Sequence, residues 1–176
     1  MSKPQRFVVK GSSGAGKSTF ATELARRRGI AHIELDALHH GLNWTAPSAD
    51  EFRTRVLEAL AAEPGGWVVD GNYDSKLGET VTTLADCIIW LDPPFGLKLR
   101  RVLQRTLHRI RDDIELWNGN RENWRGAFLS RDSIFVWLIR AHIRHRRDWP
   151  ARFAGDPRLI RLRSAEDARA WLESDV

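Results

Sequence analysis

Residues 11–18 read Gly11-Ser12-Ser13-Gly14-Ala15-Gly16-Lys17-Ser18, a complete G-x-x-x-x-G-K-[ST] pattern directly after the apolar run Phe7-Val8-Val9. The pattern suits a polyphosphate. Successive backbone N–H groups converge on phosphate oxygens, and Gly11, Gly14 and Gly16 let the chain turn tightly while the anion comes close. The helix opened by the loop is predicted from Lys17 through Phe20, Leu24 and Ala25 to Gly29. Its free N–H groups and positive dipole end then face the same anion. Lys17 is expected on the β- and γ-phosphates, the Ser18 hydroxyl on Mg2+, and Thr19 at the helix start or on the α-phosphate. The sequence therefore predicts an ATP site that works with Mg2+, with Gly11, Ser12, Ser13, Gly14, Ala15, Gly16, Lys17, Ser18 and Thr19 as its nucleotide-binding residues.

Three further strands are expected to bring carboxylates to that loop. Alternating short apolar runs and amphipathic stretches predict strand–helix repeats, hence a parallel sheet with helices on both faces. The strands are read as Phe7 to Lys10, Ala31 to Leu35 ending at Asp36, Trp67-Val68-Val69 ending at Asp70, Cys87 to Leu91 ending at Asp92, and Leu159 to Leu162. In open parallel sheets ligands sit outside the carboxyl ends of the strands, so topology delivers Asp36, Asp70 and Asp92 near the loop. A carboxylate beside Ser18 can hold Mg2+ or its water, which makes Asp70 the metal candidate together with Ser18, and Asp36 competes for that role.

The helices between these strands follow from periodicity and caps. Ser48-Ala49-Asp50-Glu51 reads as a capping box for a helix carrying Phe52, Val56, Leu57 and Leu60, stopped by Gly65-Gly66. From Phe95 to about Asp112 the apolar positions are Leu99, Val102, Leu103, Leu107 and Ile110, with Lys98, Arg101, Arg105 and Arg109 striping the other face. Such a stripe converges on one anion, follows a nucleic-acid backbone, or is simply solvated. Glu115 to Arg125 has turn formers and no steady period, so it reads as a mobile loop. A second long helix is predicted from Ser133 to roughly Arg147, ahead of Trp149-Pro150, and a last one is capped by Ser164.

Composition bounds the rest. With 176 residues, 42% hydrophobic and 29% charged, the chain suits one α/β domain spanning 1–176. No stretch approaches the roughly 18 apolar residues of a membrane span, and no signal-peptide pattern opens the chain, so a cytoplasmic protein is expected. The single cysteine, Cys87, lies in an apolar run and reads as a small buried hydrophobe. Net charge is +5, and 23 of the 28 basic residues are arginine. Thirteen of these arginines fall between Arg100 and Arg152 against six carboxylates. Forked guanidinium recognition of anionic substrates explains that bias, and genomic base composition explains a share of it. His39-His40 stand as acceptor-pocket candidates, since no cysteine or further histidine lies at zinc spacing. Trp67, Trp90 and Trp137 read as core, whereas Trp44, Trp117 and Trp124 lie in loops and could stack on a base or sugar.

The loop Gly11 to Ser18, the segment after the second strand, the Val69-Asp70-Gly71 turn and the late arginine-rich segment together resemble the adenylate-kinase-like nucleoside monophosphate kinase superfamily. More narrowly, Val69-Asp70-Gly71-Asn72-Tyr73, Ile89-Trp90-Leu91-Asp92 and Glu115-Leu116-Trp117 with Gly119-Asn120-Arg121-Glu122 resemble the bacterial DNA topology modulation (FlaR-like) P-loop proteins. The resemblance implies a three-layer αβα P-loop NTPase fold. Its parallel sheet would have five strands in the order 2-3-1-4-5, with an acceptor-binding segment at residues 36–62 and an arginine-rich helical lid at residues 100–131. It further implies that Asp36 orients the acceptor, that Arg101, Arg105, Arg121 and Arg125 close on the phosphates, and that Arg163 lies beside the donor's adenine. In true adenylate kinases the Asp-Gly turn continues Phe-Pro-Arg, whose arginine grips the acceptor phosphate. Here Asn72-Tyr73 stand instead, which leaves acceptors other than AMP open.

The expected activity is transfer of the γ-phosphate of ATP to a nucleotide or other small acceptor. A second reading, a nucleic-acid-associated ATPase or regulator, rests on the basic stripe, the interleaved tryptophans and the FlaR-like resemblance. Neither the acceptor nor the oligomeric state is encoded by any motif.

Overall fold

Five apolar runs build the centre of the molecule, which the computed structural model describes over residues 4–130 and 133–174. They are β1 (Arg6–Lys10), β2 (Ala31–Glu34), β3 (Trp67–Asp70), β4 (Cys87–Leu91) and β5 (Leu159–Leu162). All pair in parallel, in the order β2-β3-β1-β4-β5. This is the expected order. Every residue of β3 and β4 is buried, as strands covered on both faces must be.

Helices close both faces. On one side α1 (Lys17–Arg28) and α8 (Ala165–Ser174) set Phe20, Leu24 and Leu172 against Phe7, Val9, Ile89 and Leu91. On the other, α3 (Ala49–Ala61) and α7 (Ile134–Arg152) pack Phe52, Val56 and Trp149 on Val8, Val69, Ile88 and Trp90. Burying a side chain such as Phe52 contributes about 1.5–3 kcal/mol, so the alternation of faces along each strand fixes the layering. The short helix α2 (Leu35–His39) follows β2, α4 (Asp74–Leu77) and α5 (Thr80–Leu84) lie between β3 and β4, and α6 (Phe95–Arg111) runs beside the phosphate loop.

The caps behave as the sequence predicts. Gly29 ends α1 in the left-handed region, its N–H reaching Ala25 O. Ser48 and Glu51 exchange bonds at the start of α3, Glu51 N to Ser48 Oγ at 3.2 Å and Ser48 N to Glu51 Oε2 at 2.9 Å.

Several expectations are corrected. β2 stops at Glu34 because Leu35 is drawn inward as the first residue of α2, so Asp36 lies in a helical turn and Glu34 is the strand-terminal carboxylate. On α3 the buried row is Phe52, Val56 and Leu60, leaving Leu57 40% exposed. The face of α6 is turned from the predicted one: Lys98, Val102 and Thr106 are buried, whereas Leu99, Leu103 and Leu107 are 36%, 39% and 37% exposed. The cause is electrostatic as well as steric. Lys98 Nζ finds His142 Nδ1 at 2.9 Å and Asp92 Oδ1 at 3.5 Å, so the ammonium is matched inside and its stem serves as packing. Trp137 lies on the outward side of α7, 38% exposed, and α7 itself continues through Pro150 to Arg152 instead of ending before Trp149. The stretch 115–125 is tied down: it forms a 3-10 turn at Trp117–Gly119, closed by a bridge between Glu115 and Arg121. The expected end of the lid at residue 131 lies outside the described residues.

Candidate active site

The phosphate loop leaves the carboxyl end of β1 at the centre of the sheet. Ala15 N bonds Ser12 O at 3.1 Å, folding the loop over, and Gly16 enters α1 at φ +96°, a left-handed conformation that favours glycine. Gly14 faces the Lys98 carbonyl of α6 so closely that a Cβ there would collide with it. Ser12 Oγ is buried and has no hydrogen-bond partner among the described residues. An orphaned hydroxyl inside a cradle of glycines at a helix N-terminus fits a bound phosphate.

Beneath the loop the last residue of β1 is anchored. Lys10 Nζ donates to Asp74 Oδ1 at 2.7 Å, and Arg152 Nη1 holds Asp74 Oδ2 at 3.1 Å. Burial lowers the pKa of Lys10, while Asp74 opposes that shift. For Asp74 burial alone would raise the carboxyl pKa, but Lys10 and Arg152 bring it below the usual range.

At the head of α1, Ser18 Oγ donates to Asp70 Oδ2 at 2.7 Å and lies 3.4 Å from Glu34 Oε1. His32 Nε2 is 3.3 Å from Asp70 Oδ1. One hydroxyl flanked by two carboxylates is a donor set that suits Mg2+, and Ser18, Asp70 and Glu34 would be the residues to hold it. Lys17 is desolvated, which lowers its pKa, and Asp36, Asp70 and Glu34 oppose that shift.

Opposite the loop, Asp36 Oδ1 accepts a 2.6 Å bond from the Tyr73 hydroxyl. Burial and then Asp36 push the Tyr73 phenol far above its ordinary pKa, so it stays a donor. Around this pair stand His39, 4.5 Å from the Tyr73 ring, and His40, stacked on Trp117 at 5.6 Å and edge-on to Trp44 at 5.3 Å. Burial lowers the pKa of both histidines, that of His39 to about 4, so they are neutral at pH 7. Trp117 Nε1 donates to Glu34 Oε2 at 2.9 Å. Asn120 completes the roof: it donates to Gly41 O at 2.9 Å and to Trp117 O at 2.7 Å, and accepts from Trp44 N at 2.7 Å. Asn118 and Asn120, within the predicted lid, thereby tie the turn at 117–120 to residues 40–45.

No family model and no curated protein sequence matches the chain. Solved structures do. A gluconokinase from Sinorhizobium meliloti superposes over 99% of this chain and 94% of its own, with TM-score 0.57 and 20% identity. A shikimate kinase from Acinetobacter baumannii, in complex with shikimate, covers 98% and 90% at TM-score 0.57 and 18% identity. A sugar kinase from a Janibacter species covers 97% and 91% at TM-score 0.53 and 19% identity. The chain has the P-loop kinase fold.

Within that fold the predicted arginines have different fates. Arg101 Nη1 lies 3.4 Å from Gly14 O, over the phosphate loop. The Arg105 guanidinium has no ion pair among the described residues, and its charge acts on Lys17 and is felt by Asp36 and Glu34. Arg109 is bound to Glu122 at 2.8 Å. Arg121 is bonded to Asp113 and Glu115, away from the Arg101–Arg105 row, and Arg125 is exposed in a π-helical turn, Arg125–Leu129. Arg163, at the end of β5, lines an open cavity of about 440 Å³ with Asp92, Pro93, Pro94, Arg146 and Arg161. Asp92 is not free for the phosphates: Arg161 Nη2 grips it at 2.6 Å, and Lys98 lies 3.5 Å away.

Glu34, Asn72, Tyr73 and Asn120 are the site residues that sequence reasoning missed. Their partners lie far along the chain, so no local spacing marks them. Two signals were available: Glu34 stands where β2 ends, and Asn72-Tyr73 departs from the Phe-Pro-Arg of true adenylate kinases.

Proposed function

We propose that the chain is an ATP- and Mg2+-dependent kinase that transfers the γ-phosphoryl group to a small acceptor held above Asp36, within residues 36–62. The observation that carries this reading is the facing pair of assemblies. On one side are Lys17, Ser18 and Asp70 at a phosphate loop, and on the other is Asp36 fixed by Tyr73, with Arg105, which has no ion pair among the described residues, acting on both. Phosphoryl transfer needs donor and acceptor in line and cations on the moving group, and little covalent help.

In this reading Gly11 to Thr19 bind the triphosphate, Lys17 contacts the β- and γ-phosphates, and Ser18 with Asp70 and Glu34 holds Mg2+. When bound, that ion neutralises charge developing on the phosphates. Asp36 orients the acceptor hydroxyl and takes its proton as the oxygen attacks phosphorus. The bond between phosphorus and the bridging β-oxygen breaks, and ADP leaves. Arg101 and Arg105 steady the transferring group, and Arg163 lies beside the donor base. The docked segment 115–122 excludes water from the acceptor.

The solved neighbours named for gluconate and shikimate support a small-molecule acceptor. The arginine stripe of α6 supports it as well. Arg101 and Arg109 are engaged at Gly14 and Glu122, which weakens the nucleic-acid reading. A coupled assay of ADP release against sugars, sugar acids, nucleosides and nucleoside monophosphates tests the proposal. Acceptor-stimulated turnover that vanishes in Lys17→Ala is the expected result. ATP binding with no stimulation by any class contradicts it.

A further inference from the structure

The β1–β3 ladder pairs Val9 with Asp70, so the same register would carry on through Lys10 and Gly71 to a rung between Gly11 and residue 72. The backbone of β3 does not make that rung, because the chain swings away at Gly71, where φ is +134° and a Cβ would press on Leu35. Gly11 is thereby left at the mouth of the phosphate loop with its N–H and C=O pointing at the place a strand has vacated. The side chain of Asn72 fills the gap. Its Oδ1 accepts from Gly11 N at 3.3 Å and its Nδ2 donates to Gly11 O. A carboxamide is the one side-chain group that copies a peptide unit, with a donor and an acceptor held in one plane.

We infer that Asn72 is a positioning residue of the phosphate loop: its amide continues the sheet for one rung beyond β3 and fixes where the loop begins. The inference rests on the kinase reading above only insofar as the loop binds a triphosphate. It gives this chain's departure from Phe-Pro-Arg a physical role. The turn that starts at the metal-side carboxylate Asp70 sends Asn72 to the loop, Tyr73 to Asp36 and Asp74 to Lys10. One rigid turn thus sets the donor side and the acceptor side in register. A displaced loop entrance moves every N–H that follows it, and misplacement of this kind costs binding and turnover together.

The experiment compares wild type, Asn72→Ala and Asn72→Asp by calorimetric titration with the Mg2+ complex of a non-hydrolysable ATP analogue, alongside their melting temperatures. Both variants are expected to bind about ten- to a hundredfold more weakly. The order of the two separates positioning from packing. Aspartate has the same shape as asparagine, so in titrations at high salt, where its repulsion of the phosphates is screened, a packing role would leave Asn72→Asp near wild type. The clamp instead predicts that it binds no better than alanine, because a carboxylate faces the Gly11 carbonyl with no proton to donate. Affinities within twofold of wild type in both variants overturn the inference while leaving the kinase reading intact, and absence of binding in the wild type overturns both. If the variants do not fold, hydrogen exchange of the wild type decides. A Gly11 amide protected like those of β1 supports the clamp, and free exchange overturns it.

Discussion

Ser18 and Asp70 meet as the sequence predicts, because the loop is a run of eight consecutive residues and Asp70 is a strand end. Asp36 is different, since its orientation is supplied by a tyrosine 37 positions away. The 2.6 Å bond from Tyr73 fixes which carboxylate lobe faces the acceptor, and bonds to a charged group contribute about 1.5–3 kcal/mol. Tyr73→Phe is therefore expected to lower acceptor kcat/KM by about tenfold or more. The affinity for Mg2+ and ATP should be unchanged, as read by initial rates and by calorimetry. Equal loss on both sides would show that Tyr73 serves the whole fold instead of Asp36. Of the candidate site, the loop Gly11 to Ser18 and the strand end Asp70 were legible in the sequence residue by residue, and the surroundings of Asp36 only as a segment. Glu34, Asn72 and Tyr73 gain their meaning from contacts that exist only after the sheet has formed.

Among elements, the caps and every strand but the end of β2 were read correctly, because each depends on a run of a few residues. Orientation was the failure. The row Lys98, Val102 and Thr106 faces inward on α6, and hydrophobicity alone would have chosen the leucines. The inward lysine is compensated by Asp92 and His142, partners that no helical period reveals. That rotation carries Arg101 over the loop. The lid segment was misread in a similar way, since its turn is stabilised by bonds to residues 40–45 and not by its own period. Asn120 is buried and makes two of those bonds and a third within the turn, so Asn120→Ala strips partners from Trp44 N, Gly41 O and Trp117 O at once. Loss of such partners costs about 1–3 kcal/mol, spent on the lid and not on the core. Acrylamide quenching of tryptophan fluorescence should rise and the acceptor KM increase, with the melting temperature nearly unmoved. A large fall in melting temperature without a change in quenching would contradict a local latch.

For the molecule as a whole, buried imidazoles set the acid limit. Burial, then Lys76 and His40, push His39 down to about 4; burial, then Arg144 and Lys10, push His145 down to about 3. Both titrate near their ordinary value of about 6.5 in the unfolded chain, so between that pH and the native values the unfolded state binds more protons. Stability is then fully present above about pH 6.5 and is lost as pH falls toward 4 and below. Calorimetric melting temperatures should be flat from pH 7 to 8 and drop steadily from about pH 6.5 to 4. His145 stacks on Trp149 with ring centroids 3.8 Å apart, so His145→Phe keeps the stack and should make the drop shallower. An unchanged slope would place the proton uptake elsewhere. Every role proposed for this site depends on the loop at the end of β1. Its most direct test is isothermal titration of the folded protein with ATP and Mg2+. A one-to-one heat that disappears in Lys17→Ala is predicted, and silence from the wild type would contradict it.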